Sequence, residues 1–205
     1  MRPEPTIVSE TRGPVSVIQL NNPKQRNSLS AEVLETLELT VTAIASRAEI
    51  AVIIFTGSAE VFASGADINE LRRLTPASAN EFASRGQRVF QNIAQAKPLT
   101  IAAINGHCIG GGLDLALACN LRFASPTAMF RHPGATLGII TGWGGTQRLP
   151  RLIGVASALE LFTTARSIDG REALRLGLVT RIADSVLEYA KEFAHEYQQS
   201  RKSNP

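Results

Sequence analysis

LTIAAINGHCIGGGLDLALACNLRFA, residues 99–124, carries the strongest fold signal in this sequence. The stretch opens with an apolar run at 99–104, passes through a glycine-rich turn, continues with an apolar helical pattern at 113–119 and closes with a second apolar run at 121–124. Continuous apolar runs of this length are typical of strands that are covered on both faces. The order strand, helix, strand predicts parallel pairing in an α/β protein.

The same alternation extends toward the N-terminus. Further strands are predicted at 15–20 (VSVIQL) and at 51–56 (AVIIFT). Between them, Ser30 is positioned to cap a helix. The apolar residues of that helix recur at three- and four-residue spacing: Val33, Leu34, Leu37, Val41 and Ile44. A second helical pattern begins near Pro76 and leads toward the strand at 99–104.

The sequence beyond residue 124 is richer in glycine and helical signals. A long glycine-rich loop is predicted at 132–146. Three helices are predicted to follow it, and they begin near Val155, Gly170 and Asp184. Together with the preceding strands, these helices predict a single α/β unit without an interdomain linker.

The composition is that of a globular domain and excludes several classes of protein. With 205 residues, 44% of them hydrophobic, the chain is long enough to bury a core without a disulfide or a structural metal. Its net charge is only +3, and no run of Lys or Arg exceeds two residues, which argues against nucleic-acid binding. We expect no membrane span, no signal peptide and a cytoplasmic location, with Cys108 and Cys119 reduced.

Asp114 is a carboxylate in unusual surroundings. It is the only acidic residue between Glu81 and Glu160, and it lies in one of the most apolar parts of the chain. Charged groups are rarely buried without a partner or a function. One interpretation is stabilisation of a helix N-terminus, where a carboxylate complements the helix dipole. The other interpretation is a catalytic acid or base, and the sequence leaves both open.

The three glycines before Asp114 indicate an anion site. Gly110, Gly111 and Gly112 lack Cβ atoms, so a ligand can approach the backbone N–H groups at the start of the predicted helix. The anion could be a phosphate or the oxyanion of a polarised thioester. Neither nucleotide-binding motif fits, because GxxxxGK[ST] is absent and the glycine spacing differs from GxGxxG. Close packing of the strand against the helix is the structural alternative.

A second loop of small residues follows the strand predicted at 51–56. Residues 62–67 read FASGAD and form a compact turn that can present backbone N–H groups, with Asp67 as a helix cap. Two such donor loops in one chain suggest an oxyanion site with two donors, provided that the loops meet in the fold.

Five segments in order resemble the crotonase superfamily, also called the enoyl-CoA hydratase/isomerase family. They are NNPKQRNSL (21–29), VFASGADINEL (61–71), KPLTIAAINGHCIGGGLDLALACNLRFAS (97–125), LGIITGWGGTQRLPRLIG (137–154) and GREALRLGLVTRI (170–182). The resemblance covers residues 7 to 190. It implies a crotonase-like spiral of ββα units, with 1–190 as the acyl-CoA-binding core and 191–205 as a polar C-terminal tail.

The resemblance also implies the position of the substrate. In the family, the thioester carbonyl lies between two backbone N–H groups, which correspond here to those of Ala66 and Gly111. Asp114 corresponds to a catalytic acid or base. The remaining substrate contacts that the resemblance implies are the backbone at Ser64, Asp67 and Ile68 and, for the phosphates, Lys24 or Arg26. Coenzyme A is part of the substrate, so no separate cofactor and no metal are expected.

Family members usually continue beyond the helix near Asp184 into a helical region that covers the acyl pocket and helps to build trimers. We therefore expect this region to be short or truncated here. A homotrimer or a dimer of trimers is expected if it is present, with an acyl-CoA substrate, no nucleic acid and no membrane as partners.

The sequence departs from the family pattern at the second catalytic position. Family hydratases typically use two glutamates; the first corresponds to Asp114 and the second to Gly134, which has no side chain. The loop at 137–145, where some relatives place an acid, contains none. His132, two residues before Gly134, is a possible auxiliary group.

The leading hypothesis is an enoyl-CoA hydratase/isomerase-like enzyme of fatty acid metabolism, a lyase or isomerase, with a single catalytic carboxylate. Hydration, double-bond isomerisation, decarboxylation and thioester hydrolysis remain open, because all can use the same oxyanion site. The alternative is a catalytically degenerate acyl-CoA-binding protein that keeps the fold and lacks the second carboxylate.

Overall fold

The computed structural model describes residues 4–203. Its strands are β1 (Ile7–Arg12), β2 (Val15–Leu20), β3 (Ser28–Leu29), β4 (Val52–Thr56), β5 (Val61–Ala63), β6 (Gly65–Ala66), β7 (Leu99–Ile104), β8 (His107–Ile109), β9 (Leu121–Ala124), β10 (Met129–Arg131), β11 (Ile168–Asp169) and β12 (Arg181–Ile182). Its α-helices are α1 (Ala31–Ala45), α2 (Ile68–Leu71), α3 (Pro76–Ala94), α4 (Gly111–Ala118), α5 (Gly134–Leu137), α6 (Gly145–Ile153), α7 (Val155–Thr164), α8 (Gly170–Leu176) and α9 (Val186–Ser203). A 3₁₀ turn spans Pro23–Gln25.

The strands form two larger sheets that the chain enters in alternation. The first sheet has the order β1-β2-β4-β7-β9-β12, and all its pairs are parallel except β1 with β2. The second has the order β5-β8-β10-β11, with β11 antiparallel. Strands β4, β7 and β9 each precede their counterparts β5, β8 and β10, and helices follow. Each succession of two strands and a helix is one ββα unit of the predicted spiral, so the α/β fold class is confirmed.

Local signals explain where the first long helices begin. The Oγ atom of Ser30 accepts a hydrogen bond of 3.2 Å from the Val33 N–H, as expected for a cap of α1. Helix α3 starts with Pro76 in its first turn, and Thr75 and Ser78 form a reciprocal capping box. The five predicted apolar positions of α1 are all buried. Sequence periodicity therefore predicted both helices correctly.

The central sheet is covered on both faces, which explains its continuous apolar strands. In β4, Ile53 and Phe55 belong to the main core together with residues of α1, α3 and α4, whereas Val52 and Ile54 face the opposite side. Helix α9 covers that second face with Val186, Ala190 and Ala194. Hydrophobic burial on both faces is what a sheet of parallel strands requires.

Two regions contain more helix than the sequence pattern indicated. The glycine-rich segment 132–146 includes the single turn α5 and the first residues of α6. Residues 191–203, which read as a polar tail, form the last 13 of the 18 residues of α9, and Ala194 among them is fully buried. Residues 204 and 205 of the predicted tail lie outside the described residues. Apolar residues on one side of an otherwise polar helix are sufficient to hold it against a sheet.

Within residues 4–203, no helix is both long enough and apolar enough to cross a membrane. No group of three or more His, Cys, Asp or Glu side chains in that range is arranged to hold a metal ion. Cys108 and Cys119 are both buried and free.

Candidate active site

Three parallel strands of the second sheet, β5, β8 and β10, bring the candidate residues together at the edge formed by their carboxyl ends. β5 and β10 both pair with β8, with Ala63 opposite Cys108 and Arg131 opposite Ile109. The segments that follow these strands therefore leave the sheet at the same edge, where ligands commonly bind in α/β proteins. The Gly110 N–H donates to the Arg131 carbonyl at 2.8 Å and ties two of these segments together.

A cavity of about 270 Å³ lies at this edge of the sheet. It is bounded by the turn after β5, the start of α4, one face of α3 and the loop that connects β10 to α6. Most of its walls are apolar, and its polar side chains include those of Asp114 and His132. A largely apolar cavity with a few convergent polar groups is the usual form of a small-molecule site.

The two donor loops predicted from the sequence meet in this cavity. A Cβ atom built on Gly65 would lie 3.1 Å from the Gly111 amide nitrogen, and one built on Gly111 would lie 3.4 Å from the Ala66 amide nitrogen. Gly65 has φ +94° and Gly110 has φ +53°, values that residues with a Cβ rarely adopt. Ala66 and Gly111 both line the cavity. Glycine is therefore required for the close approach of the two loops.

The indole ring of Trp143 packs between α3 and the start of α4 and supports this arrangement. Its ring centroid lies 5.1 Å from that of Phe82 and 5.7 Å from that of Phe90, both in α3. A Cβ atom on Gly86 or on Gly111 would overlap the indole ring. The buried indole thus fills the space that these two glycines leave, and it holds the start of α4 at a set distance from α3.

Asp114 is fully buried in the first turn of α4 and lines the cavity. The hydroxyl of Thr141 donates a hydrogen bond to its Oδ2 atom. Its Oδ1 atom has no hydrogen-bond partner among the residues that the structure describes, and it lies 3.6 Å from His132 Nε2. A Cβ atom on Gly145 would overlap Oδ1, so the carboxylate packs directly against the backbone at the start of α6.

Burial sets the protonation states of both side chains. Desolvation raises the pKa of Asp114 to about 7, although Thr141, the backbone N–H groups of Trp143 and Gly145, and the Arg148 guanidinium lower it. Desolvation also lowers the pKa of His132 to about 4. Near neutral pH, Asp114 therefore exists in both its acidic and its basic form, while His132 is neutral. A carboxyl group with this pKa is suited to general acid–base chemistry.

The other residues proposed for the substrate divide into two groups. Ser64 and Ile68 line the cavity with Ala66. The side chain of Asp67 caps α2 and accepts hydrogen bonds of 2.8 Å from the Asn69 N–H and 3.1 Å from the Glu70 N–H. Its carboxylate thus has the capping function that the sequence indicated.

Lys24 and Arg26 lie outside the cavity, in the exposed turn that precedes β3. The backbone carbonyl of Arg26 accepts a hydrogen bond of 3.1 Å from the Ser64 N–H, so this turn is attached to the donor loop. The attachment places both cations near the cavity, with their side chains in solvent.

Thr141, Trp143 and Gly145 were not predicted from the sequence as residues of the site, although they lie in the segment 137–145. The signal was present as the only tryptophan of the chain, placed between glycines in GWGG. A large ring among residues without side chains indicates close packing against a neighbouring backbone. The loop also lines the cavity with Leu137, Ile139 and Ile140, which are 53%, 49% and 67% exposed.

Gly134 is close to the same loop. A Cβ atom built on Gly134 would lie 2.5 Å from the Ile139 carbonyl oxygen. Real Cβ atoms do not approach a backbone oxygen so closely, so any side chain at this position requires the loop to move. The backbone therefore leaves no room for a side chain at Gly134, the position at which the resemblance implied a second glutamate in family hydratases.

The chain is similar to known proteins over most of its length. Residues 10–204 match the family model described as enoyl-CoA hydratase/isomerase. The short-chain-enoyl-CoA hydratase of Clostridium acetobutylicum is 37% identical over 193 residues, which are 93% of this chain and 74% of that protein. The crotonyl-CoA hydratase of Syntrophomonas wolfei is 40% identical over 177 residues, 86% of this chain and 68% of that protein.

The fold of this chain is also similar to that of a solved structure. The crystal structure of an enoyl-CoA hydratase from Bacillus anthracis superimposes with a TM-score of 0.90 at 39% sequence identity. The superposition covers 94% of this chain and 76% of that one.

Proposed function

The chain belongs to the enoyl-CoA hydratase/isomerase family, and on this basis we propose that it acts on an acyl-CoA thioester whose acyl end lies in the cavity of about 270 Å³. The backbone N–H groups of Ala66 and Gly111 stabilise the enolate oxygen, and Asp114 transfers the proton. The names of the relatives support a short-chain 2-enoyl-CoA as the substrate.

The observation that carries this proposal is the convergence of Ala66 and Gly111 beside a buried carboxyl group. The N–H of Gly111 is in the first turn of α4 and has no partner within that helix. The helix dipole adds positive potential at the same point. Removing a proton from C2 of a thioester, or adding a nucleophile to C3, places negative charge on the carbonyl oxygen. Donors already held in a water-poor site stabilise that charge without reorganisation.

Asp114 is proposed as the group that gives or takes the proton at C2. It reaches the cavity from the helix whose start provides one of the two donors, so the oxyanion and the proton are handled side by side. A pKa of about 7 allows either direction of transfer near neutral pH. Among residues 4–203, no other acidic side chain lines this cavity, which is why a mechanism with one carboxylate is proposed.

The proposal predicts the pH dependence of C2 proton exchange. Removal of this proton needs the ionised form of Asp114, so exchange into D₂O from a saturated acyl-CoA is expected to rise with pH and to level off above about pH 7. The groups that face Asp114 are His132, Thr141, Arg148 and the Cys108 thiol. Mass spectrometry of the acyl-CoA measures the rate, and a rate independent of pH between about 5 and 8 contradicts the assignment.

Restoring the second carboxylate is expected to fail. The Gly134→Glu variant should lower thermal stability and give no gain in hydration, because the new Cβ would meet the Ile139 carbonyl oxygen at 2.5 Å. Crotonyl-CoA hydration and a thermal melt measure the two effects. Ala135→Glu, which adds the same charge at an exposed neighbouring position, is the control. A gain of about tenfold or more in hydration for Gly134→Glu, absent from the control, would show that the loop can make room.

One pair of measurements separates an enzyme from a degenerate acyl-CoA-binding protein. Calorimetric titration with coenzyme A measures binding, and assays with crotonyl-CoA and longer enoyl-CoAs measure turnover. Binding accompanied by hydration, isomerisation or C2 exchange supports the proposed activity. Binding without any of these reactions identifies the degenerate alternative, which the closed position at Gly134 favours.

A further inference from the structure

Three buried polar atoms at the cavity have no hydrogen-bond partner within the described part of the chain. They are Asp114 Oδ1, His132 Nδ1 and His132 Nε2. His132 is only 4% exposed and lines the cavity with Asp114. A buried polar atom that lacks a hydrogen bond costs about 1–3 kcal/mol. Such a group is expected to be satisfied by water or by a ligand when the site is filled.

The position of His132 is defined by the fold. It follows β10 directly, and the pairing of β10 with β8 brings it beside Gly110 and hence beside the start of α4. Its ring packs against that of Phe162 with a centroid distance of 5.0 Å. The ring is thus held by an apolar contact, while its nitrogens are left available near the carboxyl group of Asp114.

We propose that His132 is a second catalytic residue, which activates the water that adds to C3 of an enoyl thioester while Asp114 protonates C2. This inference rests on the proposed function. His132 and Asp114 together thereby perform the chemistry that a pair of carboxylates performs elsewhere, and no side chain is needed at Gly134.

The step balances with water as the only co-reactant. The water oxygen forms a bond to C3 while a ring nitrogen of His132 accepts one water proton. The C2–C3 π electrons move toward the thioester, and the oxyanion is held by the N–H groups of Ala66 and Gly111. Protonated Asp114 then gives its proton to C2. The proton on His132 passes to Asp114 across the 3.6 Å between Nε2 and Oδ1, which restores the starting state.

The environments of the two groups favour these starting forms. Burial keeps His132 neutral, with an unprotonated nitrogen that can accept a proton, and it raises the pKa of Asp114 so that the acid form persists near neutral pH. The charged or titratable groups near the pair are Arg148, on α6, and the Cys108 thiol, on β8. Thr141 donates to Oδ2, and the other carboxylate oxygen, Oδ1, lies 3.6 Å from His132 Nε2.

The test compares two reactions in the His132→Gln variant of the full chain. Gln places an amide near Nε2 but cannot accept a proton. Hydration of crotonyl-CoA needs His132 in this scheme, whereas C2 proton exchange of butyryl-CoA in D₂O needs only Asp114 and the two N–H donors. We expect His132→Gln to lose hydration by about 100-fold or more and to keep C2 exchange within about threefold.

Controls keep the result interpretable. His195→Gln changes an exposed histidine on α9 and should leave both reactions unchanged. Coenzyme A titration and a thermal melt establish that the variant folds and binds. If His132→Gln does not fold, the wild-type pH profiles provide the test. Hydration should decline above about pH 7, where Asp114 loses its proton, while C2 exchange increases.

Each outcome decides a different point. The role of His132 is supported if His132→Gln loses hydration alone, or if hydration and C2 exchange have opposite pH dependence in the wild type. Four results would overturn this role and leave the proposed function standing. They are retained hydration in His132→Gln, an equal loss of both reactions in that variant, the same pH dependence of both reactions in the wild type, and a wild type that exchanges C2 protons without hydrating crotonyl-CoA. A wild type that binds no acyl-CoA and performs neither reaction overturns the proposed function, and this inference with it.

Discussion

Replacing Asp114 by Asn is expected to abolish turnover on every acyl-CoA substrate while sparing coenzyme A binding. The amide keeps the size of the side chain and can still accept the Thr141 hydrogen bond, but it can neither give nor take a proton. General acid–base catalysis contributes about 10²–10⁴ in rate, so activity should fall by at least that factor. Asp184→Asn, at an exposed position, is the matched control.

The same variant should be more stable than the wild type above pH 7. The folded-state pKa of Asp114 is about 7, raised from the ordinary 3.8, so the folded state binds this proton more tightly than the unfolded state does. The resulting stabilisation is fully present below about pH 4 and is lost as the pH rises to about 7. The free energy of unfolding should therefore fall by about 4 kcal/mol from this group over that window.

Urea unfolding at pH 5 and pH 8 measures this effect. The wild type should lose more stability between the two values than Asp114→Asn, which has no charge to bury. Unchanged turnover in Asp114→Asn would refute the catalytic assignment. An equal pH dependence of the two proteins would show instead that the carboxylate is well solvated or fully paired in the folded state. A lower activity joined to a higher stability is the pattern of a group retained for function.

Gly111→Ala is the second variant with a large expected effect. A methyl group at this position would overlap the indole of Trp143 and lie 3.4 Å from the Ala66 amide nitrogen. The start of α4 must then move away from the loop that contains Ala66, which separates the two proposed donors. Loss of one oxyanion donor typically costs about 10²–10³ in kcat, and we expect a loss of this size.

The backbone of Gly111 can accept Ala, because its φ is not positive and Ala has a higher helix propensity than Gly, so the cost in stability comes from the contact with the indole. A thermal melt and a coenzyme A titration, measured beside kcat, separate loss of the site from loss of the fold. The matched comparison is Gly111→Ala combined with Trp143→Leu, which removes the ring that the methyl group meets. Partial recovery in the double variant, relative to the product of the two single effects, identifies the clash as the cause. Wild-type rates in Gly111→Ala would refute the oxyanion role.

Sequence periodicity predicted the regular elements well. The strands at 15–20 and 99–104 have the predicted bounds, and α1 begins after the Ser30 cap as expected. Short strands such as β5, β8 and β10 were not predicted, because three residues are too few to show a period. These are the strands that bring the site together, so its assembly was beyond the reach of local patterns.

The sequence showed the unusual residues of the site but not how they are arranged in space. A lone carboxylate after three glycines indicated an anion site and an acid or base, because charge and missing Cβ atoms are properties of single positions. Only the tertiary structure places Ala66 close to Gly111 and His132 beside Asp114, and only it leaves no space for a side chain at Gly134. These features follow from the pairing of distant strands and from the packing of Trp143. Such contacts depend on strand register and on close packing between segments far apart in the chain, and no local pattern of residues specifies either.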